Sequence, residues 1–380
     1  MNKILFDLRV TQPMNGDKRH GGGKYGEIVL LRIIKRGLLV SCCYDSSLWF
    51  NPELKHIIEK HHVALYDLSE FSYGEIIKKE QCSFIFESSN LDGSQWRNIG
   101  CDVLGVIHGL RGLEAPLDLF EFRYKQPIKQ IIKSLVKRVS KRLRRYKQRM
   151  YVEASLLASN IHILTVSNHS AASFKVFFPH CKKDIPVFYS PSTSIINTKE
   201  KKYDKKYFLL VSANRPLKNN LRAIIALDKL FSDGYAQNYR VKVTGVNSAS
   251  AFWYKIKNKD KFDFLGYVDE YELDQLYHDA YCFIYPTLNE GFGYPPLEAM
   301  KYSVPVLSSP FTAIPEICGG SVIYFNPFSI EEIMNRILMI LDTEVHTRYS
   351  QLGRERYELI TKKQNEDLDR LIDYIYNFQK

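Results

Sequence analysis

Two carboxylates, Glu290 and Glu298, have the spacing that says most about chemistry in this chain, and seven residues separate them. Between them a loop contains Gly291, Phe292 and Gly293, after a buried strand-like run and before a helix. Glycines let a ligand approach the backbone closely, and N–H groups at a helix start suit a phosphate. Glu298, which we place in the first helical turn, can accept two hydrogen bonds from a vicinal diol such as a ribose. The alternative is that Glu298 only complements the helix dipole and that Glu290 is a solvated loop residue.

The start of this helix offers few backbone donors, because Pro295 and Pro296 carry no N–H group. Prolines are well tolerated at a helix start, where the first N–H groups lack partners within the helix. The amides from Gly293 onward and that of Leu297 would therefore have to bind the phosphate.

Two cations, Arg215 and Lys218, stand in a loop between an apolar strand and an amphipathic helix that we predict over 221–230. In a parallel sheet such a loop lies at the carboxyl end of its strand, where ligands bind. Two cations at that place suit a diphosphate. The alternative is an exposed helix start with ordinary surface cations.

The first half of the chain has weaker candidates. Gly22 and Gly23 belong to a glycine-rich stretch after His20, and an amphipathic helix predicted over 25–34 follows it. His108 ends a strand predicted over 103–108. The glycines could form a simple tight turn, and a lone histidine taken by itself is better explained by a structural role.

Short apolar runs alternate with helix-length amphipathic stretches along the whole chain, which predicts parallel sheets with helices on both faces. The predicted strands cover 3–7, 38–43, 82–87, 103–108, 161–167, 207–212, 240–244, 261–265, 281–285, 304–308 and 322–325.

The polar, lysine-rich stretch between Pro191 and Lys206 has the composition of a linker. We therefore predict an α/β protein with two Rossmann-like domains that face each other across a cleft. The predicted domains are 1–190 and 206–363, and the second would bind the ligand through the two loops described above. A C-terminal helix over 364–380 is predicted to pack back on the first domain.

The segment from Glu290 to Met300 resembles the signature of the family-4 retaining glycosyltransferases, also called glycosyl transferases group 1, which have the GT-B fold. Their pattern is Glu, seven residues and Glu, with Gly-Phe-Gly between and Glu-Ala-Met after. Pro305-Val306 and Ile314-Pro315-Glu316 match as well. One departure is Ser303, where most members have glycine, and we interpret it as a packing position.

The resemblance implies roles for the candidates at the donor, a nucleoside-diphosphate sugar. Glu298 would bind the ribose, and Glu290 would contact the donor sugar. Arg215 and Lys218 would neutralise the leaving diphosphate, although many members carry the arginine six residues before the lysine, where this chain has Ser212.

In the first half, the resemblance implies that Gly22 and Gly23 border the donor phosphates and the acceptor. His108 would contact the donor sugar near the reacting carbon. The usual aspartate after this histidine is Gly109 here, so a role that needs an adjacent carboxylate is not expected.

Donor cleavage places negative charge on the diphosphate, and fixed cations and amides stabilise it. The resemblance implies a front-face attack with retention, in which the leaving phosphate helps to deprotonate the acceptor. No Asp-x-Asp motif stands in a strand-end loop, so we expect no metal and no other cofactor.

The net charge of +11 comes from one segment, 123–149, which holds twelve Lys or Arg and no Asp or Glu. Its apolar residues recur at intervals of three and four, which predicts a basic amphipathic helix. Such a helix suits an anionic membrane surface near a lipid-linked or glycan acceptor. The alternative is a core-facing stripe with a solvated basic face. The cations that we predict to contact the membrane are Lys137, Arg138, Lys141, Arg142, Arg144 and Arg145.

The seven cysteines are scattered and odd in number, which favours buried thiols in a reducing cytoplasm. No apolar run of about 18 residues is present, so we expect no transmembrane helix. The resemblance implies a cytoplasmic enzyme that is peripheral on the inner face of the plasma membrane and takes part in cell-surface polysaccharide synthesis. One alternative is an epimerase or phosphorylase of the same fold. Another alternative is a basic nucleic-acid-binding protein, which would bind RNA with a steep dependence on salt. Aromatic residues are sparse in the basic segment, so we expect no nucleic-acid partner.

The membrane prediction can be tested on vesicles. Changing the six cations to Gln should strongly weaken binding to anionic vesicles at low salt, since each contributes about 1 kcal/mol near such a surface. A variant with the five linker lysines of 199–206 changed to Gln serves as the control. Unchanged binding of the six-residue variant would contradict the membrane role.

Overall fold

The structure is a computed structural model that describes residues 3–13, 21–89, 91, 93–125, 141–192 and 207–378. These residues form two compact units. The first unit contains the described residues up to 113, those of 142–192 and those from 361 onward. The second contains 114–125, 141 and 207–360.

The first unit is built on a six-stranded parallel sheet in the order β3-β2-β1-β4-β5-β6. Its strands are β1 Ile4–Asp7, β2 Val40–Tyr44, β3 Ala64–Asp67, β4 Phe84–Glu87, β5 Asp102–Val106 and β6 Ile161–Leu164. All residues of β1 and β4 are buried, as expected of central parallel strands covered on both faces. The helices are α1 Gly21–Lys35, α2 Pro52–Lys60, α3 Tyr73–Glu80, α4 Gly93–Trp96, α5 Arg111–Glu114, α6 Lys141–Leu157 and α7 Asn168–Phe177.

The second unit repeats this arrangement with a parallel sheet in the order β12-β11-β10-β7-β8-β9. Its strands are β7 Tyr207–Leu210, β8 Arg240–Thr244, β9 Phe262–Gly266, β10 Cys282–Tyr285, β11 Val306–Ser308 and β12 Ile323–Tyr324. Its helices are α8 Asn220–Ser232, α9 Glu270–Asp279, α10 Tyr294–Met300, α11 Ile314–Cys318, α12 Ile330–Ile340 and α13 Thr343–Asn377.

Both sheets have the same strand order when each is counted from its own first strand. The order reverses between β1 and β4 in one sheet and between β7 and β10 in the other. Ligands of open α/β sheets bind at the carboxyl ends of the strands that flank such a point. The predicted fold class, two Rossmann-like α/β domains, is confirmed.

Each of the eleven predicted strands corresponds to a strand of the structure, but β3 was missed. Its four residues, Ala64–Asp67, are all half-buried, and they lie at the edge of the sheet. Such a short edge strand has no continuous apolar run by which a sequence could reveal it.

Two segments group differently from the predicted domain ranges. Residues 114–125 fall in the second unit, although they lie within the range 1–190. The predicted C-terminal helix is the last part of α13, which is 35 residues long and begins at Thr343. From residue 361 onward α13 belongs to the first unit, where Asp369 pairs with Arg32 at 2.8 Å and the Tyr376 hydroxyl donates to the Leu39 carbonyl.

Ser303 is a position of unusual backbone rather than of side-chain packing, which corrects our interpretation. Its φ of 54° lies in the left-handed region, just after α10. Glycine adopts that conformation without a steric penalty from Cβ, which explains a glycine at this point of the family pattern.

Candidate functional site

Lys218 and Glu290 follow the two strands between which the order of the second sheet reverses. Lys218 ends a short 3-10 turn, Pro216–Lys218, after β7, and Glu290 lies in the loop after β10. The Leu288 N–H donates to the Leu217 carbonyl at 2.8 Å and so joins the two loops. Because β7 and β10 are parallel neighbours, their carboxyl ends bring together residues that are 72 positions apart.

The two side chains form a buried ion pair. The Lys218 ammonium lies 2.7 Å from Glu290 Oε1, and both side chains are about nine-tenths buried, with exposed fractions of 13% and 9%. The Tyr285 hydroxyl donates to the same oxygen at 2.6 Å, and the Thr287 hydroxyl does so at 2.7 Å. Lys218 also donates to the Tyr285 hydroxyl oxygen at 2.6 Å.

The environment keeps the Glu290 carboxylate ionised. Burial by itself raises the pKa of a carboxyl group, but the ammonium of Lys218 and the hydroxyl donors outweigh that effect, so the pKa of Glu290 is lowered. The site therefore holds a fixed carboxylate directly beside the Lys218 ammonium. An ammonium held in this way is already oriented for an anionic ligand.

Backbone strain accompanies this arrangement. Asn219 and Thr312 both have positive φ, 58° and 53°. Thr312 accepts the Glu290 N–H at 2.8 Å through its hydroxyl, and the Asn219 amide donates to the carbonyls of Pro286 and Pro327. A β-branched residue in the left-handed region is unfavourable and persists only where its surroundings fix it. Such conformations cluster at functional sites.

The glycine-rich loop leads into α10 as predicted. Gly293 precedes the helix with φ of 119°, and a Cβ there would lie 3.0 Å from Ile314 Cδ1, so another residue would be strained and crowded. Phe292 and Leu297 are buried, and Gly291 is half-buried.

The sequence predicts Glu298 in the first turn of α10. The helix begins at Tyr294, so Glu298 is its fifth residue and lies past the first turn. The dipole effect fades beyond the first turn, so this position weakens the alternative of dipole complementation. Glu298 lies close to the buried Tyr277, whose pKa is raised first by burial and then by the charges of Glu298 and Glu290. Glu298 and Glu290 therefore both raise the pKa of the Tyr277 phenol.

A protein-family model described as Glycosyl transferases group 1 matches residues 192–358, which include both loops. Over these residues, which are less than half of the chain, the protein is similar to the group 1 glycosyltransferases.

The O-antigen chain mannosyltransferase RfbU of Salmonella typhimurium is 34% identical over 169 residues. That match covers 44% of this chain and 47% of RfbU, so the chain spans about half the length of this relative.

Solved structures extend the likeness of fold to both units. WaaG, described as a glycosyltransferase involved in lipopolysaccharide biosynthesis, has a TM-score of 0.64 at 14% identity, over 96% of this chain and 98% of WaaG. HepE of Anabaena, solved in complex with UDP and glucose, has a TM-score of 0.59 at 14% identity, over 98% of this chain and 100% of HepE. The predicted GT-B type of fold is confirmed.

Arg215 lies in the same turn as Lys218, three residues earlier, and is exposed. Sequence reasoning missed Tyr285, Thr287 and Thr312, whose hydroxyl groups bind Glu290. Tyr285 and Thr287 could have been noticed as polar residues at the end of a buried strand. Thr312 gave no signal, because its role depends on a loop fold that the sequence does not show.

In the first unit, His108 and the start of α1 lie close together. The His108 ring is edge-on to the Tyr25 ring at 4.8 Å, and its Nε2 lies 3.0 Å from the Ser88 carbonyl. A carbonyl can only accept, so Nε2 carries the proton. Gly22 and Gly23 are in the first turn of α1, which begins at Gly21 and not at residue 25.

The basic segment is described only in part. Lys137 and Arg138 lie outside the described residues, and the side chains of Lys141, Arg142 and Arg144 are not described. Arg145 is exposed on α6, as are Tyr146, Met150, Tyr151 and Leu157. Within the described ranges, no helix is long and apolar enough to cross a bilayer, and no group of three or more His, Cys, Asp or Glu side chains could hold a metal ion.

The buried pair predicts a characteristic pattern of stability. Lys218→Met should lower the free energy of unfolding by about 3–5 kcal/mol, because it leaves Glu290 buried without its cation. The double variant Lys218→Met/Glu290→Gln should recover most of this loss. Urea unfolding measures both, and Lys229→Met, from the exposed pair with Glu331, should lose less than about 1 kcal/mol.

The pH dependence of the same unfolding follows from the lowered pKa of Glu290. A carboxyl group with a lowered folded pKa contributes stability above its unfolded pKa and loses that contribution as pH falls through the folded value. The wild type should therefore lose more stability than Glu290→Gln as the pH falls below 4.5, the ordinary pKa of a glutamate. Parallel pH profiles of the two proteins would contradict this account.

Proposed function

We propose that this protein is a retaining glycosyltransferase that moves a sugar from a nucleoside-diphosphate sugar to a glycan or lipid-linked acceptor. The observation that carries the proposal is the buried pair of Lys218 and Glu290, 2.7 Å apart at the point where the strand order reverses. The family match of residues 192–358 supports the same conclusion.

In this proposal the second unit binds the donor. Lys218, with Arg215, faces the diphosphate and stabilises the charge that develops when the sugar leaves. The amides of Gly291–Gly293 and Leu297 supply further donors. Glu298 accepts hydrogen bonds from the ribose, and Glu290 contacts the sugar while it keeps Lys218 in position.

The first unit contributes His108, Gly22 and Gly23, which we propose to lie at the reacting end of the donor and at the acceptor. When the His108 ring is neutral with its proton on Nε2, it can accept a hydrogen bond through Nδ1. Attack occurs on the face that the leaving diphosphate departs from, so the configuration is retained.

The acceptor belongs to cell-surface polysaccharide synthesis in this proposal, since RfbU is named an O-antigen chain mannosyltransferase. The enzyme would work from the cytoplasm at the inner face of the plasma membrane. The exposed Tyr146, Met150 and Leu157 on α6, which also carries the exposed Arg145, support a membrane contact, because apolar and cationic side chains together suit an anionic bilayer surface.

The role of Glu298 is tested by nucleotide binding. Glu298→Ala should bind the matching diphosphate, UDP or GDP, at least about tenfold more weakly, because a charge-assisted hydrogen bond contributes about 1.5–3 kcal/mol. Glu298→Gln, which keeps the size, should lie between. Titration calorimetry measures the affinities, and melting temperatures confirm folding.

Glu290→Gln is the matched control for this experiment. It should bind UDP or GDP nearly as the wild type does, but transfer should fall, because Glu290 faces the sugar. If Glu298 only served the helix, Glu298→Ala would lose a little stability and no nucleotide affinity. Equal affinity of the wild type and Glu298→Ala would therefore refute the donor role.

Transfer should also persist in excess EDTA, because protein cations and not a metal neutralise the diphosphate. The measurement is release of the nucleoside diphosphate in the presence of acceptor, with and without EDTA. Activity that disappears with EDTA and returns with Mg²⁺ or Mn²⁺ would contradict metal independence.

A further inference from the structure

Residues 114–125, which we call the strap, begin at the last residue of α5 and belong to the second unit. Two backbone hydrogen bonds fix the end of the strap. The Lys125 N–H donates to the Ala251 carbonyl at 2.7 Å, and the Trp253 N–H donates to the Arg123 carbonyl at 2.6 Å. The Tyr124 ring packs edge-on against Phe252 at 5.3 Å.

A carboxylate in the middle of the strap forms an ion pair with a cation on α8. Asp118 pairs with Arg222 of α8 through both carboxylate oxygens, and the Oδ1 contact to Arg222 is 3.0 Å. The guanidinium lies 3.9 Å above the Phe120 ring, also of the strap. The Arg222 side chain is only 8% exposed.

Arg222 connects the strap to the ion pair of the donor site. It donates to Asn219 Oδ1 at 2.7 Å, while the amide nitrogen of Asn219 holds the carbonyls of Pro286 and Pro327. Asn219 follows Lys218 directly and has φ of 58°. Asp118 is thus two hydrogen bonds away from the residue that fixes the backbone beside Lys218.

A second contact reaches the other loop of the site. Glu114 Oε2, at the start of the strap, accepts from the Asn289 amide at 3.1 Å. Asn289 is 3% exposed and precedes Glu290 directly. The strap therefore contacts the neighbour of Glu290 directly and reaches Asn219, the neighbour of Lys218, through Arg222.

The need to cover α8 does not explain why these contacts are polar. Apolar side chains could cover the helix as effectively, because a buried ion pair is often no more stabilising than a hydrophobic replacement. What the polar contacts add is a defined position for the two loops.

We propose that Asp118 and Glu114 are positioning residues, which hold Lys218 and Glu290 in the geometry that binds and cleaves the donor. This inference rests on the proposed function of the Lys218–Glu290 site. It assigns the strap a part in donor binding. In sequence the strap is far from the site, since Asp118 and Arg222 are 104 positions apart.

The test uses the double variant Asp118→Asn/Arg222→Met in the full chain. The asparagine side chain keeps an oxygen that can cap the Phe120 N–H as Asp118 does, and removal of both charges leaves neither one buried alone. Arg240→Met/Asp263→Asn removes an exposed ion pair of the same unit and is the control.

The readout is the gain in affinity from UMP to UDP and from GMP to GDP, which reports on the contact between Lys218 and the second phosphate. We expect this gain to be about tenfold smaller in the double variant, with a melting temperature near that of the wild type. Lys218→Met, which removes the ammonium itself, should lose the gain to a similar extent. The control should keep the gain. A role in stability alone would lower the melting temperature and leave the gain unchanged.

Glu114→Ala is the second variant, and it should lower kcat with little change in KM or in UDP and GDP affinity. Wild-type values for both strap variants would overturn the inference and leave the proposed function intact. A wild-type protein that binds neither UDP nor GDP would overturn the proposed function, and the inference with it.

Discussion

In the second unit, an ammonium and a carboxylate are buried against each other at the ends of two parallel strands. Neither charge would be stable there alone, because burial without a partner costs several kcal/mol. Lys218 and Glu290 must therefore come together as the loops after β7 and β10 fold. The hydroxyl groups around Glu290 and the left-handed backbone at Asn219 and Thr312 are the means by which the loops meet this requirement.

The ion pair weakens the attraction of Lys218 for an anion but fixes the position of its side chain. A cation that is fully satisfied within the protein attracts an anion less strongly than a free one, but it loses no side-chain freedom when the ligand arrives. Because three donors converge on one oxygen of Glu290, the orientation of the carboxylate is set before any ligand binds. The entropy cost of ordering these side chains is therefore borne during folding and not when a ligand binds.

Local sequence predicted the parts of the structure that depend on local patterns. Apolar runs predicted eleven strands and with them the parallel fold. One short segment of sequence contains Glu290, Gly293 and Glu298, so this part of the site could also be predicted. The contact of Asn289 with Glu114 spans 175 positions and joins two ordinary polar residues, so no pattern announces it. The edge strand β3 and the grouping of 114–125 with the second unit were missed for the same reason, since packing decides them and not periodicity.

The return of α13 to the first unit bears on the order in which the protein is completed during synthesis. Domains usually fold as they leave the ribosome, the N-terminal one first. Here Arg32 and Leu39 find their partners Asp369 and Tyr376 only after another 337 residues have been made. The sheet of the first unit can form early, but Arg32 of α1 and the Leu39 carbonyl lack these partners until translation reaches the end of α13. The second unit, which is complete by residue 360, can therefore finish folding before the first.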